Sequence, residues 1–495
     1  MDIVINLQPI KEFLFLPEDE MLLKLFLTIG WLPIAITFIW GTIIVWRYHI
    51  RDKWAATQKF ILLAIDIPRG NMQSPKAVEN MFSYLAGMHG TFNYHETWWK
   101  GEFQLTSSME IVSIDGYIQY LIRTPEKFRE LAETAIYSQY PDAEITEVDD
   151  YTTSYPTHFP DEQYDIYGCE FVLVKDNALP IKTYENFEHT FGKPELQYKD
   201  SMATLMDLMS SLKKGEQIWY QIILIPMDFK WCDTGEDIIS KIIGEKIISK
   251  KNIIDKIGEI FVDLLYNFSE LIFSSGEDIK EKKEEKEQFK MMNLKPRQKK
   301  QVEAIQEKIG KLCFEIKIRF IYLAKKEIMN KSKAVNGFVG FMKQFQASDL
   351  NAFKPDVGPH GTATKGGYPL FFEKRINKRK IKIMRNYKER EDTGGRTPMV
   401  LNIEELATIW HFPIETVVKA PLIQKATSRK IEPPISLPFV TKAIAEENIF
   451  ENKNTINDIN DIFLEKIELL KADKNETQEK TNAPTNLPPE NLPFV

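Results

Sequence analysis

Cysteine and histidine are scarce in this sequence. The three cysteines, Cys169, Cys232 and Cys313, stand far apart with no C-x-x-C spacing, which indicates neither a disulfide framework nor a thiolate metal site and fits a reducing compartment. The seven histidines also lack the spacing of metal ligands, and the nearest pair, His89 and His95, is typical of loops or helix ends. The sequence therefore predicts neither a metal site nor a cofactor.

The motifs of familiar catalytic sites are also missing. Two Gly-Lys pairs, at 192–193 and 310–311, precede Pro194 and Leu312 rather than Ser or Thr, so the sequence has no Walker A phosphate loop. The glycine-rich stretch 361–367 lacks the flanking strand and helix of a phosphate cradle and indicates a flexible loop. G-x-S-x-G, H-E-x-x-H and a Cys/His nucleophile arrangement are absent as well. We predict no catalytic residues and no enzymatic activity.

Charge of one sign does not dominate. The 495 residues include 64 Lys and Arg against 71 Asp and Glu, and the net charge of -7 argues against a protein that is broadly coated in nucleic acid. This balance leaves local basic patches open. Hydrophobic residues make up 43% of the chain, which is enough for ordinary cores, and the length predicts about three domains.

One long apolar run without charge is present, Leu25 to Trp46, of about the 20 residues that a helix needs to cross a bilayer. Acidic residues at 18–20 precede it and three bases within 47–53 follow it, and a basic flank normally stays in the cytoplasm. We therefore predict a short extracytoplasmic segment at 1–20, a transmembrane helix at 21–50, and a cytoplasmic body in a single-pass protein of the cell membrane. A buried core helix is the alternative, although such a helix normally shows a polar stripe.

Residues 57–151 show the element order of a ferredoxin-like unit. The hairpin turns at Asp115-Gly116, the dipeptide preferred in type I′ turns, and both helices open with a cap residue before proline. The order βαββαβ predicts a sheet with two helices on one face. The predicted elements are the strand Lys59 to Ile67, the helix opening at Ser74-Pro75, the hairpin Phe103 to Tyr120, the helix opening at Thr124-Pro125 and ending at Pro141, and the strand Glu144 to Val148.

The same order recurs at 165–400, which predicts a second ferredoxin-like unit and a duplicated body. A helical insertion at about 235–312 interrupts its hairpin, and its final strand is not identifiable from the sequence. Segment 260–273 of the insertion is too short to span a bilayer; it either packs in a core or lies flat on the membrane. The predicted elements are the strands Glu170 to Lys175, Gln217 to Ile225 and Cys313 to Leu323, and the helices Ser201 to Lys213, Asp237 to Phe273, Pro296 to Leu312 and Lys333 to Phe345.

Residues 401–440 are predicted to form a capped helix followed by a proline-rich docking segment. Asn402 caps the helix, Glu405 completes a capping box, and Pro413 ends the helix. From 441 to 495 the chain is rich in Asn, Lys, Glu, Pro and Thr with few aromatics, which predicts a disordered tail.

The pattern P-P-x-x-L-P-F-V occurs twice, at 433–440 and at 488–495. Two extended apolar phrases on a flexible tether can gain avidity from an oligomeric partner. The alternative is that the first phrase packs on its own domain and the second is incidental. The predicted docking residues are Leu437, Pro438, Phe439, Val440, Leu492, Pro493, Phe494 and Val495.

Basic residues concentrate between Glu373 and Arg390. Such density can bind phosphates or anionic lipid headgroups. The alternative is a solvated surface helix that docks on the domain through its interleaved apolar residues, Ile376, Ile381, Ile383 and Met384. The candidate residues for binding nucleic acid or an anionic surface are Lys374, Arg375, Lys378, Arg379, Lys380, Lys382 and Arg385.

Three stretches, Ser108 to Tyr151, Leu401 to Pro413 and Glu432 to Val440, resemble the membrane-anchored region that precedes the motor domain in conjugation-type ATPases of type IV secretion systems. Similar chains without the motor form a family of unknown function. The resemblance covers roughly Leu25 to Val440 and includes no catalytic motif.

The resemblance implies a non-enzymatic membrane adaptor or scaffold of a secretion or conjugation apparatus that works with a separate P-loop ATPase. The alternative is a membrane-anchored protein that binds nucleic acid through segment 373–390. The implied partners are the membrane, the ATPase, DNA in the alternative, and further copies of the chain.

Overall fold

A computed structural model describes residues 30–67, 71, 73–187, 200–244, 294–365 and 370–414, together with a few single positions between 17 and 27. The helices are α1 (Trp31–Ala55), α2 (Pro75–Leu85), α3 (Arg129–Tyr137), α4 (Ala203–Ser210), α5 (Trp231–Ile243), α6 (Pro296–Ile309), α7 (Lys331–Lys343), α8 (Phe372–Lys388) and α9 (Ile403–Ile409). The strands are β1 (Phe60–Asp66), β2 (Ser107–Ile114), β3 (Tyr117–Pro125), β4 (Glu144–Glu147), β5 (Tyr164–Leu173), β6 (Glu216–Pro226), β7 (Cys313–Lys325), β8 (Phe353–Pro355) and β9 (Met399–Asn402).

The predicted apolar run forms most of α1. This helix is long enough and apolar enough to cross a membrane, and none of its most apolar 18-residue stretch is buried. It continues past Trp46 to Ala55, and its one buried residue is Ile50. The helix therefore has an exposed apolar part and a shorter end that contacts the body.

The nine strands form one antiparallel sheet in the order β4-β1-β3-β2-β6-β7-β5-β8, with β9 beside β7. The first four strands and the next four are joined where β2 pairs with β6, from Ser107 opposite Leu224 to Ile114 opposite Gln217. The prediction of an α+β fold with an N-terminal apolar helix is confirmed at this level. The two halves share one continuous sheet.

Local signals in the first half are mostly confirmed. The β2–β3 hairpin turns at Asp115 and Gly116, both with positive φ, as type I′ geometry requires. Ser74 is the N-cap of α2 with Pro75 behind it, but its side chain makes no cap hydrogen bond. The predicted helix start at Thr124-Pro125 is wrong, because these residues end β3.

The pairing of β3 with β1 explains this difference. Pro125 lies opposite Phe60 in the sheet, and the buried Thr124 shares a hydrogen bond with Ser107. Helix α3 begins at Arg129, after a short 3-10 turn, and ends at Tyr137 rather than at Pro141.

The second half differs from the prediction mainly in its boundaries. β5 begins at Tyr164, six positions before the predicted Glu170, and β7 extends to Lys325. The strand that could not be identified from the sequence is β8, three residues that pair with the end of β5. In the insertion, α5 begins at Trp231 and α6 at the predicted Pro296. Residues 245–293, including segment 260–273, lie outside the described residues.

Five helices cover one face of the sheet. Alternate strand residues such as Leu63 and Met109 point to this face and are fully buried, as the period-2 pattern requires. The helices that bury side chains in this main core are α2, α3, α4, α7 and α9. The predicted capping box of α9 is confirmed, because the Asn402 carboxamide accepts from Glu405 N–H at 2.8 Å and Glu405 accepts from Asn402 N–H at 3.0 Å.

Helix α9 ends at Ile409, four residues before the predicted Pro413. Trp410 has extended backbone and is fully buried, with its ring 5.5 Å from that of Tyr120. Packing of this indole on the first half of the sheet ends the helix before the proline is reached. The predicted docking segment beyond 414 and the tail 441–495 lie outside the described residues.

Candidate functional site

Helix α8 is the predicted basic segment, and it lies on the face of the sheet opposite the five helices. Its inner side buries Ile383, Met384 and Tyr387, and the Tyr387 ring lies 5.4 Å from that of Trp219. The outer side is exposed and basic. Positions three or four residues apart share one side of a helix, which places five bases in a stripe. We call this group the basic stripe: Lys374, Arg375, Lys378, Lys382 and Arg385.

The structure separates two predicted residues from the other five. Arg379 donates to the carbonyls of Ala363, Lys365 and Gly358 at 3.0 to 3.1 Å, which ties α8 to the preceding loop. Lys380 pairs with Asp165. Arg379 and Lys380 therefore hold the helix in place, and the basic stripe is an exposed part of the helix.

Two exposed aromatic residues lie at the start of this helix. Phe371 is 68% exposed and Phe372 is 47% exposed, beside the first bases of the stripe. The Lys374 ammonium lies 5.9 Å from the Phe371 ring. Basic side chains beside aromatic ones suit single-stranded nucleic acid, because the basic groups pair with phosphates and the aromatic rings stack on nucleobases.

A row of polar and charged side chains crosses the sheet beneath the C-terminal end of α8. We call Glu110, Gln221, Arg319 and Glu170 the charged row; they come from β2, β6, β7 and β5. Strand register places Glu110 opposite Gln221, Gln221 opposite Arg319, and Arg319 opposite Glu170. All four are at most 2% exposed. Charges buried this deeply are costly unless they are paired and hydrogen-bonded.

Arg390 pairs with the first member of the row. Its guanidinium binds both carboxylate oxygens of Glu110, at 3.0 and 3.2 Å, and also pairs with Asp150. Burial opposes ionisation of Glu110, but the Arg390 charge and hydrogen bonds from Arg390, Ser108 and Tyr151 hold its pKa below the ordinary value. Arg390 has φ of 51°, a backbone conformation that costs a non-glycine residue roughly 1–2 kcal/mol.

Arg319 pairs with the last member of the row and holds the loop after α8. Its Nε donates to Glu170 at 3.0 Å, and its Nη1 donates to the Asn386 carbonyl at 2.8 Å. Nη2 donates to the carbonyls of Glu391 and Gly394. We call residues 389–396 the covering loop. It is fixed over the sheet by these buried arginine contacts.

The covering loop approaches the row too closely for a side chain at position 395. A Cβ on Gly395 would lie 2.3 Å from Glu170 Oε1, and the residue has φ of 93°. The next residue, Arg396, donates its N–H to Glu170 at 2.7 Å and binds Asp356 through two nitrogens at 2.9 Å. Burial opposes ionisation of Asp356, but the hydrogen bonds from the Arg396 side chain hold the pKa of Asp356 below its ordinary value.

A cleft of about 470 Å³ opens where the ends of β5 and β8 diverge from the segment before β9. Four charged residues line it, and three of them, all but Lys354, are engaged within the described part of the protein. Arg396 pairs with Asp356, and Lys175 donates to the Ser348 carbonyl at 2.9 Å. Arg396, Asp356 and Lys175 are therefore all engaged in contacts within the protein.

The charged row suits a structural role better than an acid–base one. Each of its two carboxylates is paired with a buried arginine, Glu110 with Arg390 and Glu170 with Arg319. Burial raises the pKa of the Cys169 thiol, and that of Cys313 to about 12, which keeps both thiols protonated at neutral pH. Within the described ranges, no group of three or more His, Cys, Asp or Glu side chains is placed to hold a metal ion.

Reasoning from the sequence missed the charged row, although a signal was present. Each member is a polar residue with an apolar neighbour on both sides in its strand, as in CEF for Glu170 or IRF for Arg319. A charge at such a position predicts a buried partner. Finding the partner needs the register of neighbouring strands, which the sequence does not supply.

These features define an α+β protein with an N-terminal apolar helix and an antiparallel sheet whose charged row is covered by a basic helix. The chain belongs to the family described as Domain of unknown function (DUF8128), whose model matches residues 68–420. The match includes both halves of the sheet from α2 onward and α8, and it begins after α1. No curated protein matches the chain.

Proposed function

We propose that this protein is a non-enzymatic, single-pass membrane scaffold of a type IV secretion or conjugation-like apparatus, with its body in the cytoplasm and a separate P-loop ATPase as partner. One observation carries the membrane part of this proposal. Helix α1 is exposed over its apolar residues and is fixed to the body over its last turns. A membrane helix that is fixed to the body in this way holds the body in a set position relative to the bilayer.

The fixed end of α1 is well defined. Trp54 packs edge-on against Phe103 with ring centroids 5.1 Å apart, and the Arg51 guanidinium lies 4.5 Å from the same ring. The backbone at Gly101 comes so close that a Cβ there would lie 2.5 Å from the Ile50 carbonyl oxygen. These contacts support an anchor that is rigidly joined to the sheet.

The charge next to the helix supports the orientation. Arg47, Arg51 and Lys53 all follow the apolar run, and Lys and Arg concentrate on the cytoplasmic side of membrane proteins. The body follows these residues directly, so the same rule gives it a cytoplasmic location.

We also propose that the body is a duplicated ferredoxin-like fold. The first half has the order β4-β1-β3-β2, and the second half has the corresponding order β8-β5-β7-β6. Both halves run strand, helix, strand, strand, helix, strand, with the insertion between β6 and β7. This repetition supports a duplication and a body that offers extended surfaces to partners.

Co-purification from the native membrane tests the scaffold proposal. We would recover the full chain in mild detergent and identify its companions by mass spectrometry. We would compare it with a chain truncated after Val440 and with one in which Leu492 to Val495 are replaced by alanine. A P-loop ATPase recovered with the full chain and lost from both variants would support docking through the tail. Recovery of the full chain without an ATPase would contradict the proposal.

The second candidate function is nucleic-acid binding by the basic stripe, favoured by its exposure beside Phe371 and Phe372. It predicts that the purified protein binds single-stranded DNA with an affinity that falls steeply with salt. Replacing Lys374, Lys378, Lys382 and Arg385 by Gln should weaken binding and reduce the salt dependence. The charge-matched control replaces exposed Lys213, Lys214, Lys325 and Lys326 by Gln. Equal binding by both variants would contradict a role for the stripe.

A further inference from the structure

We propose that the segment 89–104 rests on the headgroup layer of the bilayer that α1 crosses, with Tyr94 and Trp99 in contact with lipid. This inference rests on the proposed membrane anchoring and adds a second, peripheral contact between the body and the membrane. The partner is the lipid surface next to the anchor helix.

The position of the bilayer boundary follows from α1. The apolar run Leu25 to Trp46 has 22 residues, which as a helix are about 33 Å long, close to the roughly 30 Å thickness of the hydrocarbon core. The boundary on the body side therefore falls near Trp46 and Arg47. The Arg47 guanidinium lies 4.8 Å from the Trp98 ring, which places segment 89–104 at the level of this boundary.

Two aromatic side chains of the segment are left exposed there. Tyr94 is 74% exposed and Trp99 is 65% exposed. Tyr and Trp are enriched at membrane interfaces because each ring has an apolar body and a polar group that can remain in water. Trp46 and Tyr48 of α1 are exposed at the same level, so the aromatic surface continues from the helix onto the body.

The segment is held in one conformation by the body. The Tyr94 and Trp98 rings stack with centroids 5.6 Å apart, and residues Glu96–Lys100 form a single π-helical turn. Gly101 then has φ of 75° and contacts the backbone of α1 at Ile50. The Trp98 ring contacts Tyr94 and Arg47 within the protein, whereas the neighbouring Trp99 side chain faces away from these contacts. The exposure of Trp99 therefore reflects a fixed geometry.

Other chemistry at this end of the sheet agrees with an anionic lipid surface. Phe229, which is 72% exposed, follows the end of β6 that pairs with the start of β2, so it lies at the same end as segment 89–104. Lys53 adds exposed positive charge, and the exposed Lys100 ammonium lies 3.6 Å from the Glu102 carboxylate. Basic residues near a membrane surface are attracted by acidic headgroups.

Tyr117 gives an internal comparison. It is also an exposed aromatic, but it lies at the β2–β3 turn, at the opposite end of strands that begin near the anchor. An exposed aromatic residue at that end lies away from the bilayer boundary near Trp46 and Arg47. The inference predicts different behaviour for Trp99 and Tyr117 in the same protein.

Site-directed fluorescence in vesicles tests the inference. We would replace the half-buried Cys232 and Cys313 by serine and leave the buried Cys169 in place. One exposed cysteine at a time would then be introduced as Trp99→Cys, Tyr94→Cys, Tyr117→Cys or Trp40→Cys and labelled with bimane. The full chain would be reconstituted into vesicles of phosphatidylcholine and phosphatidylglycerol. Quenching would be measured with nitroxides attached either to lipid headgroups or to the middle of the acyl chains.

We expect the headgroup nitroxide to quench the labels at 99 and 94, and the acyl-chain nitroxide to quench the label at 40. The label at 117 should fluoresce equally in vesicles with and without nitroxide lipid. Quenching at 40 with none at 99 and 94 would overturn the inference and leave the anchor in place. Equal quenching at 99 and 117 would also overturn it. No quenching at 40 would contradict the membrane anchoring itself.

Discussion

The sheet face that carries five helices is packed mainly with apolar side chains, whereas the face under α8 buries a row of polar and charged side chains that crosses neighbouring strands. On the helical face, Phe338 stacks on Phe320 with centroids 4.1 Å apart, and both are buried. On that side the buried Glu216 at the start of β6 accepts a hydrogen bond from the Tyr322 hydroxyl, and the buried Lys308–Glu405 pair lies at the start of α9. On the opposite face the charged row crosses four strands.

This difference separates two ways of placing a helix. Apolar packing tolerates small shifts and swaps of similar volume, so it determines burial more strongly than position. A buried guanidinium must meet its carboxylate with good geometry or its burial is unfavourable. We infer that the helical face supplies most of the stability. The charged row specifies where α8 and the covering loop sit, and therefore where the basic stripe points.

The largest effect is expected from Arg390→Ala. This change leaves Glu110 buried without its guanidinium, and breaking a buried pair in this way costs about 3–5 kcal/mol. Urea unfolding of the full chain in detergent, followed by tryptophan fluorescence, measures it. Arg385→Ala, on the preceding helix α8, is the control, because Arg385 is exposed and its pair with Glu389 spans 4.0 Å. The control should change stability by about 0–1 kcal/mol; equal losses would show that the charged row is not special.

A comparable loss is expected on the apolar face from Leu406→Ala. Leu406 is fully buried in α9, and truncation of a buried leucine costs about 2–5 kcal/mol through lost burial and the cavity left behind. Urea unfolding measures this loss as well. The two variants should differ in a second property: Arg390→Ala should loosen α8 in hydrogen exchange, and Leu406→Ala should leave the protection of α8 unchanged. Loss of α8 protection in both variants would remove the distinction between the faces.

Acid should weaken the charged face, where Glu110 is paired with Arg390. The pKa of Glu110 is lowered in the folded protein, so its contribution is complete above its unfolded pKa and is lost as the pH falls through the folded one. Each unit of lowering corresponds to roughly 1.4 kcal/mol. Unfolding midpoints measured from pH 7 down to pH 3 should fall in parallel for the unaltered chain and Leu406→Ala. Arg390→Ala should show a flatter decline, and a parallel decline in all three would contradict the assignment.

The smallest effect is expected from Asn402→Ala, which removes the cap of α9. Loss of an N-cap costs about 0.5–2 kcal/mol, and here the capping hydrogen bond is buried. Asn402→Asp is the matched variant, since it retains an acceptor for the Glu405 N–H. Thermal unfolding should give a lower midpoint for the alanine variant than for the aspartate variant. The reverse order would mean that the charge of a second carboxylate beside Glu405 outweighs the cap.

The features predicted correctly from the sequence are those encoded locally. Asp115-Gly116 specifies a hairpin within four residues, and Asn402 with Glu405 specifies a helix start within one turn. Thr124-Pro125 failed because pairing of β3 with β1 outweighs a local cap signal. β8 was missed because three residues carry no readable period.

The candidate site required contacts between distant parts of the chain. Arg379 and Lys380 look like their neighbours in the sequence, but their partners come from residues 358–365 and from Asp165. The basic density was therefore predictable, whereas its division into outward and inward groups was not. The charged row depends in the same way on the register of four strands.

Alkaline carbonate extraction of native membranes tests the central claim, that α1 anchors the body, most directly. The full chain would be compared with Ile36→Asp/Ile39→Asp, which places two charges in the exposed apolar part of α1, and with Ile36→Leu/Ile39→Leu as the control. We predict that the full chain and the leucine variant stay in the pellet and that the aspartate variant moves to the supernatant. Release of the full chain itself would contradict a membrane-spanning anchor.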